Sequence, residues 1–388
     1  MPPFKSRSRQ NSAVPDPDAP AMSNKPRKSV SNIFGSGASS SGSAQSLTVP
    51  AEGRKNKNST DRSPRPSPEP DAFVCGALTQ VPASGHPGNL SEEQHRAFHE
   101  LEKALADANL ISLENPPPHQ YPQLLRFLRA RNFDVNAARD MYANAEKWKE
   151  SIELDKLYEE FEFEERDVVA KHGWRMYFHK TDRLGRPIFI QDLSNLEPDK
   201  VFTHTTPDRI VRNFAVTLEH AVRYKYHACT EKQGHLVDDN YMVLNVAGLG
   251  LGTFWSMKGQ LQQLLSILDD NFPELSGRVQ IINAPYLFTT VWSYIKGWLP
   301  AQTASKIDIA GSDYLPKVAS YVDMEAWPKH LGGKCECCDT SESAMRPCET
   351  SDAGPWNTPT AADAACKTPT DTSDSAPAAD DAPHTEKE

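Results

Sequence analysis

Short apolar runs recur between Arg186 and Gly311, and helix-patterned segments separate them. "RPIFIQDL" (Arg186–Leu193) follows the turn "DRLG" and reads as a strand. "YMVLNVAG" (Tyr241–Gly248), "VQIINAP" (Val279–Pro285) and "KIDIAG" (Lys306–Gly311) read the same way. The segment after Thr206 has a hydroxyl cap, then proline at the first helical position. Its apolar set Ile210, Phe214, Leu218, Ala221 and Val222 repeats at helical spacing. A second helix over 254–270 gathers Phe254, Met257, Leu261, Leu264, Leu265 and Leu268 on one side. Strands joined by helices predict an α/β fold with a mainly parallel sheet, because parallel neighbours need a long crossover.

Ahead of this pattern the chain is helical. "LSEEQ" (Leu90–Gln94) is a capping box, with Ser91 as cap and Gln94 at the third helical position. Phe98, Leu101, Leu105 and Ala108 follow at helical spacing. Leu124–Glu150 reads as two helices joined at Asn132–Asp134, with Val135, Ala138, Met141, Tyr142, Ala145 and Trp148 on one face. The predicted organisation is a basic arm (1–75), a helical region (76–160), an α/β lobe (161–336) and an acidic tail (337–388).

Composition sets the two ends apart. Residues 1–70 hold Lys+Arg 11 against Asp+Glu 5, and residues 337–388 hold 3 against 11. Both are rich in Pro, Ser, Ala and Thr without apolar periodicity, so disorder is expected in each. The basic arm suits an anionic surface or simple solubility. "PRKSVS" (Pro26–Ser31) and the Ser-Pro pairs at Ser63 and Ser67 look like kinase sites whose phosphates would weaken attraction to such a surface. No apolar run reaches the roughly 18 residues of a membrane span. The opening "MPPFKSRSRQ" lacks a secretory core, which predicts a cytosolic protein. Of the seven cysteines, Cys75 and Cys229 precede position 330, which predicts a reducing setting without a disulfide framework.

Three motifs invite chemistry. "GLGLGT" (Gly248–Thr253) lies between a strand and a helix, as a dinucleotide loop does, but its spacing is G-x-G-x-G. A tight strand-to-helix crossing accounts for it more simply. "CECC" (Cys335, Cys337, Cys338) with Cys348 matches no standard zinc spacing. Metal and acylation are both weaker readings there than a reduced, unstructured tail, and no metal is expected. His179, His220, His227 and His235 are scattered and read as structural or surface residues. No P-loop, nucleophile elbow or zincin motif is present in the sequence.

The aromatic segment "NAPYLFTTVWSYIKGWLPAQTASKI" (Asn283–Ile307) is the unusual one. Phe288, Val291, Trp292, Ile295 and Leu299 share a face, and Tyr294 and Trp298 widen it. A helix apolar nearly all round is usually buried. This one is short, bounded by Pro285 and Pro300, and tipped with amphipathic rings that suit a membrane interface.

"LLRFLRARNFDV", "FHKTDRLGRPIF", "IINAPYLFTTVW", "ASKIDIAGSDY" and "WPKHLGGKCE" occur in order between Leu124 and Glu336, within a likeness that covers about residues 78–338. Together they resemble the CRAL-TRIO lipid-binding family, of the fungal phosphatidylinositol-transfer type. The resemblance implies helices bracing an α/β lobe, a phospholipid inside an apolar pocket, and a gate helix near 287–299 that touches the membrane. It implies a headgroup site at Arg131, Glu274, Thr303 and Lys306. Lysine serves as a point charge for phosphate and glutamate accepts from ring hydroxyls. Asn132 departs from the lysine of better-known relatives. Phe214, Leu218, Leu261 and Leu265 would line the acyl pocket with Phe288, Val291, Trp292, Ile295, Trp298 and Leu299 of the gate.

Where related carriers of phosphatidylcholine have hydroxyl side chains, this chain has Phe178, Phe189, Leu218, Asn240 and Met242. The expected function is transfer or presentation of phosphatidylinositol, with weak or absent phosphatidylcholine binding and a sterol as a candidate second ligand. No catalysis, cofactor or nucleic acid is expected. A monomer is expected, peripheral at Golgi, endosome or ER membranes in vesicle trafficking and phosphoinositide signalling, with a phosphatidylinositol kinase as partner. The alternatives are a nucleotide-dependent enzyme using Gly248–Thr253 and a lipid-sensing regulatory adaptor.

Overall fold

The computed structural model describes residues 83–337 and 345–357. Expectations for the basic arm and its kinase sites lie outside the described residues.

Helices α1 (Glu92–Asp107), α2 (Gln120–Ala130), α3 (Val135–Ser151) and α4 (Leu154–Glu160) come first. The predicted capping box starts α1: Ser91 and Gln94 each accept from the other's backbone amide. Phe98, Leu101 and Leu105 of α1 meet Leu124, Leu125 and Leu128 of α2 and Ala138, Met141 and Ala145 of α3 in one buried cluster. Asn132 and Phe133 turn the chain through left-handed backbone. Asp134 then caps α3 by accepting from the Ala137 amide at 3.0 Å.

The lobe follows as α5 (Arg166–Lys171), β1 (Arg175–Thr181), β2 (Pro187–Asp192), α6 (Pro198–His204) and α7 (Pro207–His220). A π-helical turn (Ala221–Lys225) links α7 to α8 (Tyr226–Gln233). Then come β3 (Asn240–Asn245), α9 (Leu251–Asn271), β4 (Ser276–Ile282), α10 (Phe288–Lys296), α11 (Ala301–Ser305), β5 (Ile307–Ile309) and α12 (Leu315–Ala319). The five strands form one sheet in the order β1-β2-β3-β4-β5. β1 and β2 are antiparallel, and the other neighbours are parallel. The antiparallel pair follows from its short turn, where Asp182 accepts from the Leu184 and Arg186 amides. The parallel pairs are joined by the helices, as the alternating pattern predicts.

Strand alternation divides the core. Tyr241 and Val243 pack with Ile188, Ile190, Val318 and Trp327 on one face of the sheet. Met242 faces the opposite side, with Phe214, Leu264 and Phe272. A buried ion pair and a buried hydrogen bond tie α2 to the lobe: Arg129 Nη2 donates to Asp238 Oδ2 at 2.7 Å, and Arg126 Nη1 donates to the Asp238 backbone carbonyl at 2.9 Å. Burial works against the Asp238 charge, but Arg129 and His86 outweigh it and hold the carboxyl far below the usual carboxylate range.

The expectation of a disordered tail from 337 fails over 345–357. This segment carries α13 (Pro347–Thr350) and buries Met345, Cys348 and Trp356. Its charges are matched. Glu349 faces Arg346 and His330, and Lys225 donates to both oxygens of Asp352 at 2.7 Å. These anchors are irregularly spaced, so no periodicity announces them.

Arg129→Ala should cost about 3–5 kcal/mol, the usual loss when one partner of a buried ion pair is removed. Urea titration checks this. Because the folded Asp238 pKa lies below its unfolded value, the stabilisation is complete above about pH 5 and fades as pH falls. Wild type should therefore lose more stability than Arg129→Ala between about pH 5 and pH 3.

Candidate functional site

A cavity of about 1500 Å³, its open mouth included, lies on the Met242 side of the sheet. Gln191, Met242, Leu244, Val279, Ile281 and Ile307 from the strands form its floor. One wall is Leu261, Leu264, Leu265 and Leu268 of α9, and Phe214 of α7 contributes beside it. Phe288, Val291, Trp292 and Ile295 of α10 close it, with Leu299 beyond the helix end. The predicted stripe on α9 and the aromatic face of α10 are thus the two apolar walls. Several of their side chains, Leu261, Leu268, Trp292 and Ile295 among them, are only half-buried because they face open space.

The mouth is polar. Arg131, Asp269, Glu274, Gln302, Thr303 and Lys306 converge there. Lys306 Nζ donates to Glu274 Oε2 at 2.7 Å. Glu274 sits in left-handed backbone after Pro273. α11 is set off from α10 by Pro300, and Lys306 directly precedes β5. The Arg131 guanidinium donates to the Ala130 carbonyl at 3.1 Å, which among the described residues leaves most of its donors available. Among the described residues, the lining contains no histidine, cysteine or tyrosine. The arrangement suits an elongated apolar body whose anionic or hydroxylated end sits at the mouth.

Outside the cavity, α10 presents a second surface. Trp255 stands edge-on to Tyr294 at 4.9 Å between ring centroids. Tyr286, 94% exposed, and Leu287 extend this surface beyond the helix start.

Arg131, Glu274, Thr303 and Lys306 all reach the mouth, and the predicted wall residues reach the cavity with two exceptions. Leu218 is buried in the core beneath α7. Trp298 stacks on Phe254 at 6.2 Å rather than lining the cavity. Both satisfy the helical period, but period alone does not separate a wall from the core behind it. Sequence reasoning misses Gln191 and Leu244 in the floor. Their i, i+2 relation to Phe189 and Met242 is the available signal. In "GLGLGT", Gly248 is required by its neighbours: a Cβ there would lie 2.3 Å from Asn195 Oδ1 at φ +72. A Cβ at Gly250 or Gly252 would meet nothing within 4 Å, so no close approach demands either glycine.

A sheet-floored apolar cavity with a polar mouth and an aromatic lid helix defines a binding protein for an amphiphile. The CRAL/TRIO domain model matches residues 171–333, and the CRAL/TRIO N-terminal domain model matches 97–144. The Sec14 cytosolic factor of Schizosaccharomyces pombe is 32% identical over 273 residues, covering 70% of this chain and 91% of that one. The SEC14 cytosolic factor of Kluyveromyces lactis is 34% identical, covering 70% and 87%. The phosphatidylinositol/phosphatidylcholine transfer protein SFH7 of Arabidopsis thaliana is 37% identical, over 63% of this chain and 44% of that one. A crystal structure of Sfh5 shares the fold, with TM-score 0.51 and 16% identity over 63% of this chain and 88% of that one. The chain belongs to the CRAL/TRIO family.

Leu265→Trp fills space in the cavity. Excluding two methylenes of a guest forfeits about 1.6 kcal/mol, so uptake of a fluorescent long-chain acyl probe should weaken about tenfold or more. Fluorescence titration measures it, with an unchanged melting temperature as control.

Proposed function

We propose that this protein transfers phospholipid between membranes and prefers phosphatidylinositol. The observation that carries the reading is the polar cluster Arg131, Glu274, Thr303 and Lys306 at the mouth of an otherwise apolar cavity. Removing a two-chain lipid from a bilayer costs on the order of 20 kcal/mol at about 0.8 kcal/mol per methylene. An apolar cavity is the means of offsetting that cost. The similarity to a plant phosphatidylinositol/phosphatidylcholine transfer protein supports this class of activity.

In this reading α10 is the gate. Trp292 and Ile295 face the lipid, while Trp255, Tyr286, Leu287 and Tyr294 meet the bilayer interface. Lys306 leaves Glu274 to contact the phosphate, and Glu274 turns to the inositol hydroxyls. The protein acts as a cytosolic monomer, visits internal membranes peripherally, and presents its lipid to a phosphatidylinositol kinase. No covalent chemistry is assigned to it.

Weak phosphatidylcholine binding is supported by what fills the choline region. Phe178 and Phe189 stack at 4.6 Å, and Trp356 stands edge-on to Phe178 at 6.2 Å. The Asn240 amide donates to the Tyr226 hydroxyl at 3.0 Å, and Leu218 is buried. Met242 alone of the five positions lines the cavity.

Purified protein incubated with vesicles of mixed phospholipids should return carrying phosphatidylinositol and little phosphatidylcholine, as read by mass spectrometry of the extracted lipid. Lys306→Ala should lower phosphatidylinositol retention by about tenfold, in keeping with about 1.5–3 kcal/mol for a charge-assisted hydrogen bond. Equal loading of both lipids by wild type would overturn the preference, and a protein returning without lipid would overturn transfer.

A further inference from the structure

We propose that His179, Cys335, Cys337 and Cys348 form a closed structural zinc site that fastens the 345–357 segment to the edge of the sheet. In the sequence these cysteines have no recognisable metal spacing, and His179 reads as structural. The fold supplies what spacing does not, because the ligands come from three separate places in the chain.

One ligand atom from each of the four residues lies within 4.8 Å of all the others. The Cys335 and Cys337 sulfurs are 3.7 Å apart. Four ligands about 2.3 Å from a tetrahedral zinc stand roughly 3.8 Å from one another, so this separation is the one zinc requires. It is far beyond the roughly 2.05 Å of a disulfide. Three thiolates and one imidazole is an established closed structural set for zinc.

His179 is the independent sign of a ligand. It is fully buried, and its Nε2 has no hydrogen-bond partner among the described residues. Buried polar nitrogens seldom go unmatched. Its Nδ1 stands 3.5 Å from Ser351 Oγ, so Ser351 can fix the ring from the far side. Backbone irregularity next to His179 aims the ring: the β1–β2 register shifts between Phe178 and Thr181, and Lys180 takes left-handed backbone at φ 52. Such bulges redirect side chains.

Local backbone also places the cysteines. The absence of a side chain at Gly333 lets the chain fold back, since a Cβ there would lie 1.9 Å from the Trp327 carbonyl. Cys335 then bridges to Pro328 and brings Cys337 alongside. Cys348 arrives on α13 and is buried, with its sulfur 3.4 Å from the Cys335 carbonyl. Zinc would take three thiolates and neutral His179, releasing three protons and leaving a net charge of about −1.

The full-length chain, purified without chelator, should carry about one zinc per molecule by elemental mass spectrometry. Cobalt in its place should give the intense visible bands of a tetrahedral thiolate complex. Cys335→Ser and Cys348→Ser should lose the metal, and Ser351→Ala should weaken it roughly 10–100-fold. Chelation of wild type should expose 345–357 to hydrogen exchange, reversed by zinc and not by magnesium. Wild type is tested directly, so a poorly folding variant does not decide the matter. Absence of zinc with failure to form the cobalt bands, a Cys335–Cys348 disulfide in unreduced peptides, or zinc retained by both serine variants would each overturn the assignment.

Discussion

An apolar cavity in water tends to close, because its lining gains by meeting itself. The walls must therefore be held apart by interactions elsewhere. Here the sheet does this by being anchored from its other face. Trp327, Tyr241, Val243, Ile188 and Val318 are fully buried on that side, so β2 and β3 are packed firmly from the face away from Met242 and Leu244. α2 and α3 hold the structure at a second point. The Arg126 and Arg129 contacts to Asp238 seat α2 on the lobe, and Trp148 of α3 packs edge-on to Phe272 at the end of α9. α9 is thus fixed at its C-terminal end while its middle carries the open leucine wall.

Much of this is legible in the amino-acid pattern. The capping box, the Thr206–Pro207 helix start and the alternation of strands with helices all follow from local rules, and each appears as read. The polar residues at the cavity mouth are accessible only through resemblance. No local rule says that Arg131, Glu274 and Lys306 meet, since they lie in different elements. The cavity itself is invisible to pattern because a leucine facing open space and a leucine facing a phenylalanine have the same period. Leu218 and Leu265 show this: both satisfy the helical pattern, and one is core while the other is wall.

The C-terminal segment escapes sequence reading for a different reason. Its composition is that of a chain too polar to fold alone, and alone it has no core. It borrows one. Trp356 packs into the cluster around Phe178 and lies under the Lys225 ammonium at 4.6 Å, and the Tyr224 hydroxyl donates to the Trp356 carbonyl at 2.7 Å. Compositional rules judge a segment by what it can bury against itself. They are silent on what it can bury against a neighbour.

That segment also bears on how copies of the molecule meet in a crowded solution. β1 is an outer strand, and its far side would otherwise offer unpaired amides and carbonyls to any passing strand. The Lys180 amide donates instead to the Ala353 carbonyl, and α13 lies along the same border. At the opposite border β5 is three residues long, too short to template much pairing. One margin is partly covered by a borrowed segment and the other is short, two features that lessen the surface either edge offers to another strand.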